Sequence, residues 1–237
     1  MWAEESVFYQ IYPLGFCGAP FENDGIPESR ILKVIDWIPH LVKLNINAIY
    51  FSPVFESDTH GYNARDLKKI DVRLGTNDDF KEVCKALHEV GIKVMLDGVF
   101  NHCGSFNKWL DRERIYENAE GYAKGAYVDG GSPYRSYFKF FDEYKWPYNH
   151  TYDGWWGHDT LPKLNYEGSK QLYDYILEIG RKWVSPPYNA DGWRLDVAAD
   201  LGHSPEFNHK FWQDFRKAVK EANPEALILA EHYGEPD

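Results

Sequence analysis

Arg194 and Asp196 lie two residues apart in GWRLDV (192–197), and Glu231 directly follows the apolar run LILA (227–230). A β-strand puts residues i and i+2 on one face, so the Arg and the Asp point together while Leu195 and Val197 point the other way. Charges in an apolar strand cost several kcal/mol unless they are paired, so folding alone does not account for them. An adjacent guanidinium is expected to lower the pKa of Asp196 and hold it ionised, as a nucleophile requires. Burial and the nearby Asp196 charge would favour the protonated form of Glu231, which suits a general acid. Two carboxylates on neighbouring strands, driven apart in protonation, form the constellation for glycoside hydrolysis. The strand spacing of about 4.8 Å fits the close pair of a retaining enzyme.

A third run, KVMLDGVFNH (93–102), carries Asp97 within the strand and Asn101 and His102 at its end. Asp97 reads as a partner for Arg194, a structural support. His60 and Tyr62, in THGYNARD, and His102 fall where side chains reach a cleft. His60 with His102 could also suggest a metal pair, but no HxH or HExxH spacing accompanies them.

These residues need elements to hold them. Apolar periodicity predicts strands at 7–16, 48–54, 93–100, 192–197 and 227–233. Helices are expected at about 29–44 (kinked at Pro39), from an N-cap at Asn77 to Gly91, at 169–184 and at 204–222. The second helix should bury Phe80, Val83, Leu87 and Val90. Alternating strands and helices argue for a parallel sheet of βα units. A doubly wound sheet and an incomplete barrel both fit that alternation. The polar groups gather at the C-terminal ends of four strands, where a (β/α)8 TIM barrel builds its active site. The polar, aromatic stretch 103–165 is too long for a simple loop and reads as an inserted subdomain. The organisation is therefore residues 1–102 for barrel strands one to three, 103–165 for an inserted B subdomain, and 166–237 for strands four and five.

Composition narrows the partners. The net charge is −11, with 26 basic and 37 acidic residues and no basic run, which disfavours nucleic acid and anionic membrane. Aromatic residues make up 17% of the chain, beyond the needs of an ordinary core, and some can stack on sugar faces. Three cysteines without CxxC suggest neither a disulfide framework nor a zinc site. No segment resembles an export signal or a membrane span, so the expected compartment is the cytoplasm.

The ordered set DGVFNH (97–102), LPKLN (161–165), GWRLDVAAD (192–200) and AEHY (230–233) resembles the catalytic domain of the α-amylase family of glycoside hydrolases, family 13. HGYNARD and DVRLGT (71–76) match its segment after strand two. The resemblance implies that Asp196 is the nucleophile, Glu231 the acid/base and Arg194 the residue that orients the nucleophile. It makes His60, Tyr62 and His102 substrate contacts, with Tyr62 stacking on the sugar attacked, and Asp97 a structural support. The LPKLN form and the DVA after the arginine look like the neopullulanase and cyclomaltodextrinase branch, which implies α-glucan substrates. No cofactor is required by this reading; Asn101 matches a calcium ligand of many members.

Ala199 and Asp200 stand where secreted α-amylases often have Lys-His. The family's fourth region, with its His and third catalytic Asp, lies beyond Asp237. The expectation is a truncated barrel, inactive or poorly soluble as a 237-residue chain, whose full-length parent hydrolyses α-1,4-glucans. A transglycosylase and a non-catalytic glucan-binding fragment are the alternatives. Oligomeric state is not legible.

Overall fold

A computed structural model describes residues 2–141 and 151–234. Residues 142–150 of the expected insertion, together with Met1 and the closing residues 235–237, lie outside the described residues.

In chain order the elements are β1 (Phe8–Ile11), α1 (Pro13–Phe16), α2 (Lys33–Lys43), β2 (Ala48–Phe51), β3 (Phe55–Ser57), β4 (Ala64–Ile70), α3 (Asn77–Glu89) and β5 (Lys93–Gly98). After these come α4 (Lys170–Val184), β6 (Gly192–Leu195), α5 (Pro205–Ala222) and β7 (Leu227–Ala230). The five main strands form one sheet in the order β1-β2-β5-β6-β7, and every pairing is parallel. Each strand is the next βα unit along the chain, as in a (β/α)8 barrel, with the long insertion after the third strand.

Helices cover the outer face. Leu172, Ile176, Ile179 and Trp183 of α4 are buried, as are Phe211, Phe215 and Val219 of α5. Trp193, pointing outward from β6, meets Phe55, Phe100 and Phe215. Ser169 and Ser204 cap α4 and α5 through bonds to the N–H groups of Leu172 and Phe207. On the inner side the sheet is less covered at its last strand, where Leu229 is 49% exposed.

Several expectations are corrected. The predicted strand 7–16 is only four residues long, because Pro13 opens the short helix α1. Thr76, not Asn77, caps α3, through a reciprocal box with Asp79. The Asn77 side chain instead accepts from the Ile70 N–H and donates to the Lys68 carbonyl, completing the end of β4. Val90 is 47% exposed, since α3 ends one residue before it.

The antiparallel hairpin β3–β4 escapes the periodicity reading. Register shifts on both sides of Glu56 scramble the alternation that marks a strand. Its base is locked by Asp71 and Arg73, both fully buried. Arg73 Nε and Nη2 grip the two Asp71 oxygens at 2.8 and 2.7 Å, and Nη2 also reaches Ser57 Oγ. Nη1 donates to the carbonyls of Pro20 and Phe21. All five guanidinium protons therefore have acceptors, and the hairpin, the strand-two loop and the N-terminal segment meet at one point.

Removing one partner of a buried pair strands the other charge. Arg73→Met is expected to lower unfolding free energy in urea titration by about 3–5 kcal/mol. The double change Arg73→Met with Asp71→Leu should recover most of that loss; an unrecovered double variant would show that the pair itself stabilises.

Candidate active site

The parallel register sets the heights of the polar groups. Asp97 pairs with Arg194, and Arg194 with Leu229. Leu195 pairs with Ala230, so Asp196 and Glu231 each lie one residue past that level. The two carboxylates thus share a storey, about 6.6 Å (two residue rises) above the Asp97–Arg194 storey. The backbone holds this height: the Asp196 N–H donates to the Gly98 carbonyl and the Glu231 N–H to the Leu195 carbonyl.

Arg194 ties the storeys together. Its Nη1 lies 3.0 Å from Asp97 Oδ1 and 2.8 Å from Asp196 Oδ1, and its Nη2 contacts Glu231 Oε1. The contact with Asp97 was legible from the strands; the contact with Glu231 was not. Asp97 is 1% exposed and also accepts from the hydroxyls of Tyr50 and Tyr62. Its lone pairs are thereby occupied, as a support requires.

The expected lowering of the Asp196 pKa is overturned. Burial comes first and the neighbouring Asp97 charge second, and together they outweigh Arg194, pushing Asp196 up to about 7. One guanidinium shared by three carboxylates cannot hold all of them ionised near neutrality.

Val197 follows Asp196 with φ 40° and ψ 46°, a left-handed conformation that a β-branched residue adopts only under constraint. The turn aims its N–H at Glu231 Oε2, 2.7 Å away. Nothing in the side chain of a valine signals this role.

A cleft of about 290 Å³ opens above these groups, lined by His60, Tyr62, His102, Trp155, Leu161, Arg194, Asp196, Val197, Glu231 and Tyr233. The sequence-derived candidates His60, Tyr62, His102, Arg194, Asp196 and Glu231 therefore face one space, with Asp97 beneath. His102 is buried, and its Nε2–H donates to the Tyr62 carbonyl while Nδ1 accepts from the Asn101 amide. Burial drives its pKa down to about 4, so the ring is neutral. Leu161 and Tyr233 sit in the motifs LPKLN and AEHY but were given no role from sequence, and Trp155 was not singled out; the aromatic pair WW (155–156) and the ring two residues after Glu231 were the available signals. A larger cleft of about 630 Å³ beside β4 contains the acids Glu56 and Asp66. Both are committed to backbone N–H groups, of Val72 and Lys68.

Asn101 Oδ1 is buried without a hydrogen-bond partner, the kind of oxygen a cation would take. Calcium, however, needs about six to eight oxygen ligands. Among the described residues no three His, Cys, Asp or Glu side chains converge on a metal position. Lys163, on the same wall, forms a β-bridge with His102 and donates to the Asp200 carbonyl. Among the described residues the His, Cys, Asp and Glu side chains do not complete a calcium shell at Asn101.

No helix among the described residues is long and apolar enough to cross a membrane. The model of the alpha amylase catalytic domain matches residues 10–237. A cyclomaltodextrinase from a Bacillus species is 35% identical, over 99% of this chain and 42% of its own length. Among solved structures, Ttha1563 from Thermus thermophilus superposes with a TM-score of 0.78 at 31% identity, over 100% of this chain and 50% of that one. The cyclic α-maltosyl-(1→6)-maltose hydrolase of Arthrobacter globiformis gives 0.74 at 32%, over 99% and 52%. The chain spans about half the length of these proteins. Maltogenic alpha-amylase and neopullulanase 2 are further relatives, at 33% and 32% identity. With five barrel strands in order, an insertion after the third and a family model matched over nearly its whole length, the chain belongs to the alpha-amylase family.

Proposed function

We propose that this chain carries the nucleophile and the acid/base of a retaining α-glucan hydrolase that cleaves α-1,4-glucosidic bonds of maltodextrins. The observation that carries the reading is the single guanidinium of Arg194 spanning Asp97, Asp196 and Glu231 at the ends of three adjacent strands. In this reading substrate binding moves the cluster's retained proton from Asp196 to Glu231, after which the ionised Asp196 attacks the anomeric carbon and Glu231 gives that proton to the leaving oxygen. Glu231 then takes a proton from water as the glycosyl-enzyme bond is hydrolysed. His60, Tyr62 and His102 bind the sugar under attack. Glu231 must leave its ion pair with Arg194 to do this, and the incoming glycosidic oxygen offers it another partner.

The segment 103–165 acts in this proposal as a B subdomain that supplies Trp155 and Leu161 to the cleft wall. The relatives, a cyclomaltodextrinase and a maltogenic alpha-amylase, and the ring-lined cleft support a glucan as substrate. Three free, buried cysteines suit a reducing compartment such as the cytoplasm. No step of this reaction calls on a metal.

In the full-length protein, Asp196→Asn is expected to lower kcat on maltoheptaose by roughly four orders of magnitude. Proton NMR of the first product should show the α-anomer; initial release of the β-anomer would overturn retention. Accumulation of longer oligosaccharides at high substrate concentration would instead assign transfer as the main reaction.

The raised pKa of Asp196 also links stability to pH. The unfolded carboxyl binds its proton near 4 and the folded one at about 7. The folded state holds the extra proton in between, so the contribution of Asp196 to stability is fully present below about 4 and is lost as pH rises through 7. Urea midpoints at pH 4, 5.5 and 8 should show this decline, and Asp196→Asn should flatten it.

A further inference from the structure

The cleft beside β4 is larger than the catalytic one, about 630 Å³ against 290 Å³, and takes no part in the reaction described above. It lies between the hairpin β3–β4, the start of α3 and residues 108–122 of the insertion. A cleft of this size is in the range that holds small ligands.

Two tyrosines form its insertion side. The rings of Tyr116 and Tyr122 lie 4.8 Å apart at 44°, and Tyr122 is 49% exposed. The loop that presents them is anchored from below. Asp111, fully buried, accepts from the N–H groups of Ile115 and Tyr116. A Cβ on Gly125 would come within 2.4 Å of the Asp111 Cβ, so the chain packs tightly against that anchor. The Ala119 N–H then donates to the Tyr116 carbonyl, and the Tyr122 N–H to the Ala119 carbonyl. Backbone bonds therefore hold the rings, and Tyr122 gains little burial in return.

The hairpin side is polar and only partly committed. Arg65 spends Nε on Asp58 and places its guanidinium 4.7 Å from the centre of the Phe106 ring. Its two terminal nitrogens have no acceptor among the described residues, and Lys69 and Lys108 have no ion-pair partner there. Asp66 Oδ1 takes the Lys68 N–H, which leaves Oδ2 free, whereas both oxygens of Glu56 are taken, by Asn23 and Val72. Three cations facing two carboxylates leave too little net charge to single out an anion. Free donors and a free acceptor beside paired rings match instead a neutral molecule with hydroxyls around an apolar face, as a pyranose has.

The hairpin also connects the two clefts. His60 and Tyr62, between its strands, line the catalytic cleft, and Asp66 and Lys69, on β4, line this one. Asp66 and Lys69 follow Tyr62 by four and seven residues, at most about 13 and 23 Å of extended chain.

We propose that this cleft is a second, non-catalytic α-glucan site, in which Tyr116 and Tyr122 stack on glucosyl units while Asp66 and Lys108 bond their hydroxyls. A glucan long enough to reach both clefts meets the second at high effective concentration once the first is engaged; a short oligosaccharide gains nothing. The choice of ligand rests on the hydrolase reading above.

The test compares amylose, which can span both clefts, with maltotriose, which cannot, in the full-length protein. Tyr116→Ala with Tyr122→Ala should lower the ratio of kcat/KM for amylose over that for maltotriose at least fivefold, through KM for amylose. The paired phenylalanine changes keep the rings and should hold the ratio within twofold. Should the double alanine variant fail to fold, Tyr122→Ala alone carries the test, with at least a twofold fall expected. An unchanged ratio, or an equal loss on both substrates, would overturn the second site. Sedimentation of Asp196→Asn with insoluble amylose reads binding without turnover. A bound fraction that falls at least fivefold with the tyrosine changes, in a protein whose parent hydrolyses neither substrate, keeps the second site and removes the hydrolase. A bound fraction indifferent to the tyrosines, or abolished by inorganic phosphate, removes the second site.

Discussion

A guanidinium surrounded by three carboxylates is a net negative cluster in a partly dry space, and the strand ends of this molecule are arranged around keeping it together. Arg194 cannot move without releasing Asp97 below, Asp196 beside it and Glu231 across the strand gap. The parallel register fixes the two storeys on which these groups stand. The tyrosines at positions 50 and 62 close the lower storey by donating to Asp97. Charge in excess of one cation is met by retaining a proton near neutrality.

Around that cluster the protein distributes strain and rigidity unevenly. Asp71 and Arg73 satisfy each other and three surrounding groups, which gives the hairpin a fixed base without any backbone outlier. Val197 and Trp156 are the opposite case: both hold left-handed backbones, one beside the acid pair and one at the cleft mouth. Strained residues persist where the surroundings over-determine them, and here the surroundings are the strand ends and a tightly bonded turn.

Much of this was legible from residue order. Strands ending in charged residues identified Asp97, Arg194, Asp196 and Glu231, since apolar runs rarely carry such groups. The helices followed from their apolar periods and from Ser169 and Ser204. Other features were hidden for definite reasons. The hairpin β3–β4 breaks its own alternation with register shifts. The cap of α3 was misplaced by one residue because Thr76 and Asn77 are both capping types, and only the side-chain contacts distinguish them. The direction of the Asp196 shift depends on how deeply it is buried and on the Asp97 carboxylate of the neighbouring strand, and spacing reveals the strength of neither. Trp155 and Leu161 of the cleft wall come from the described residues 151–165, which form no strand or α-helix whose period could be read.

That division of labour between strands and insertion has an evolutionary side. The charged groups hang from hydrogen-bonded strands whose register cannot slip by one residue without turning every side chain away. Trp155, Trp156 and Leu161 hang from a loop that can lengthen, shorten or exchange rings without altering that register. A lineage built on this scaffold can therefore vary the cleft wall by drift in that loop while inheriting the carboxylate cluster unchanged.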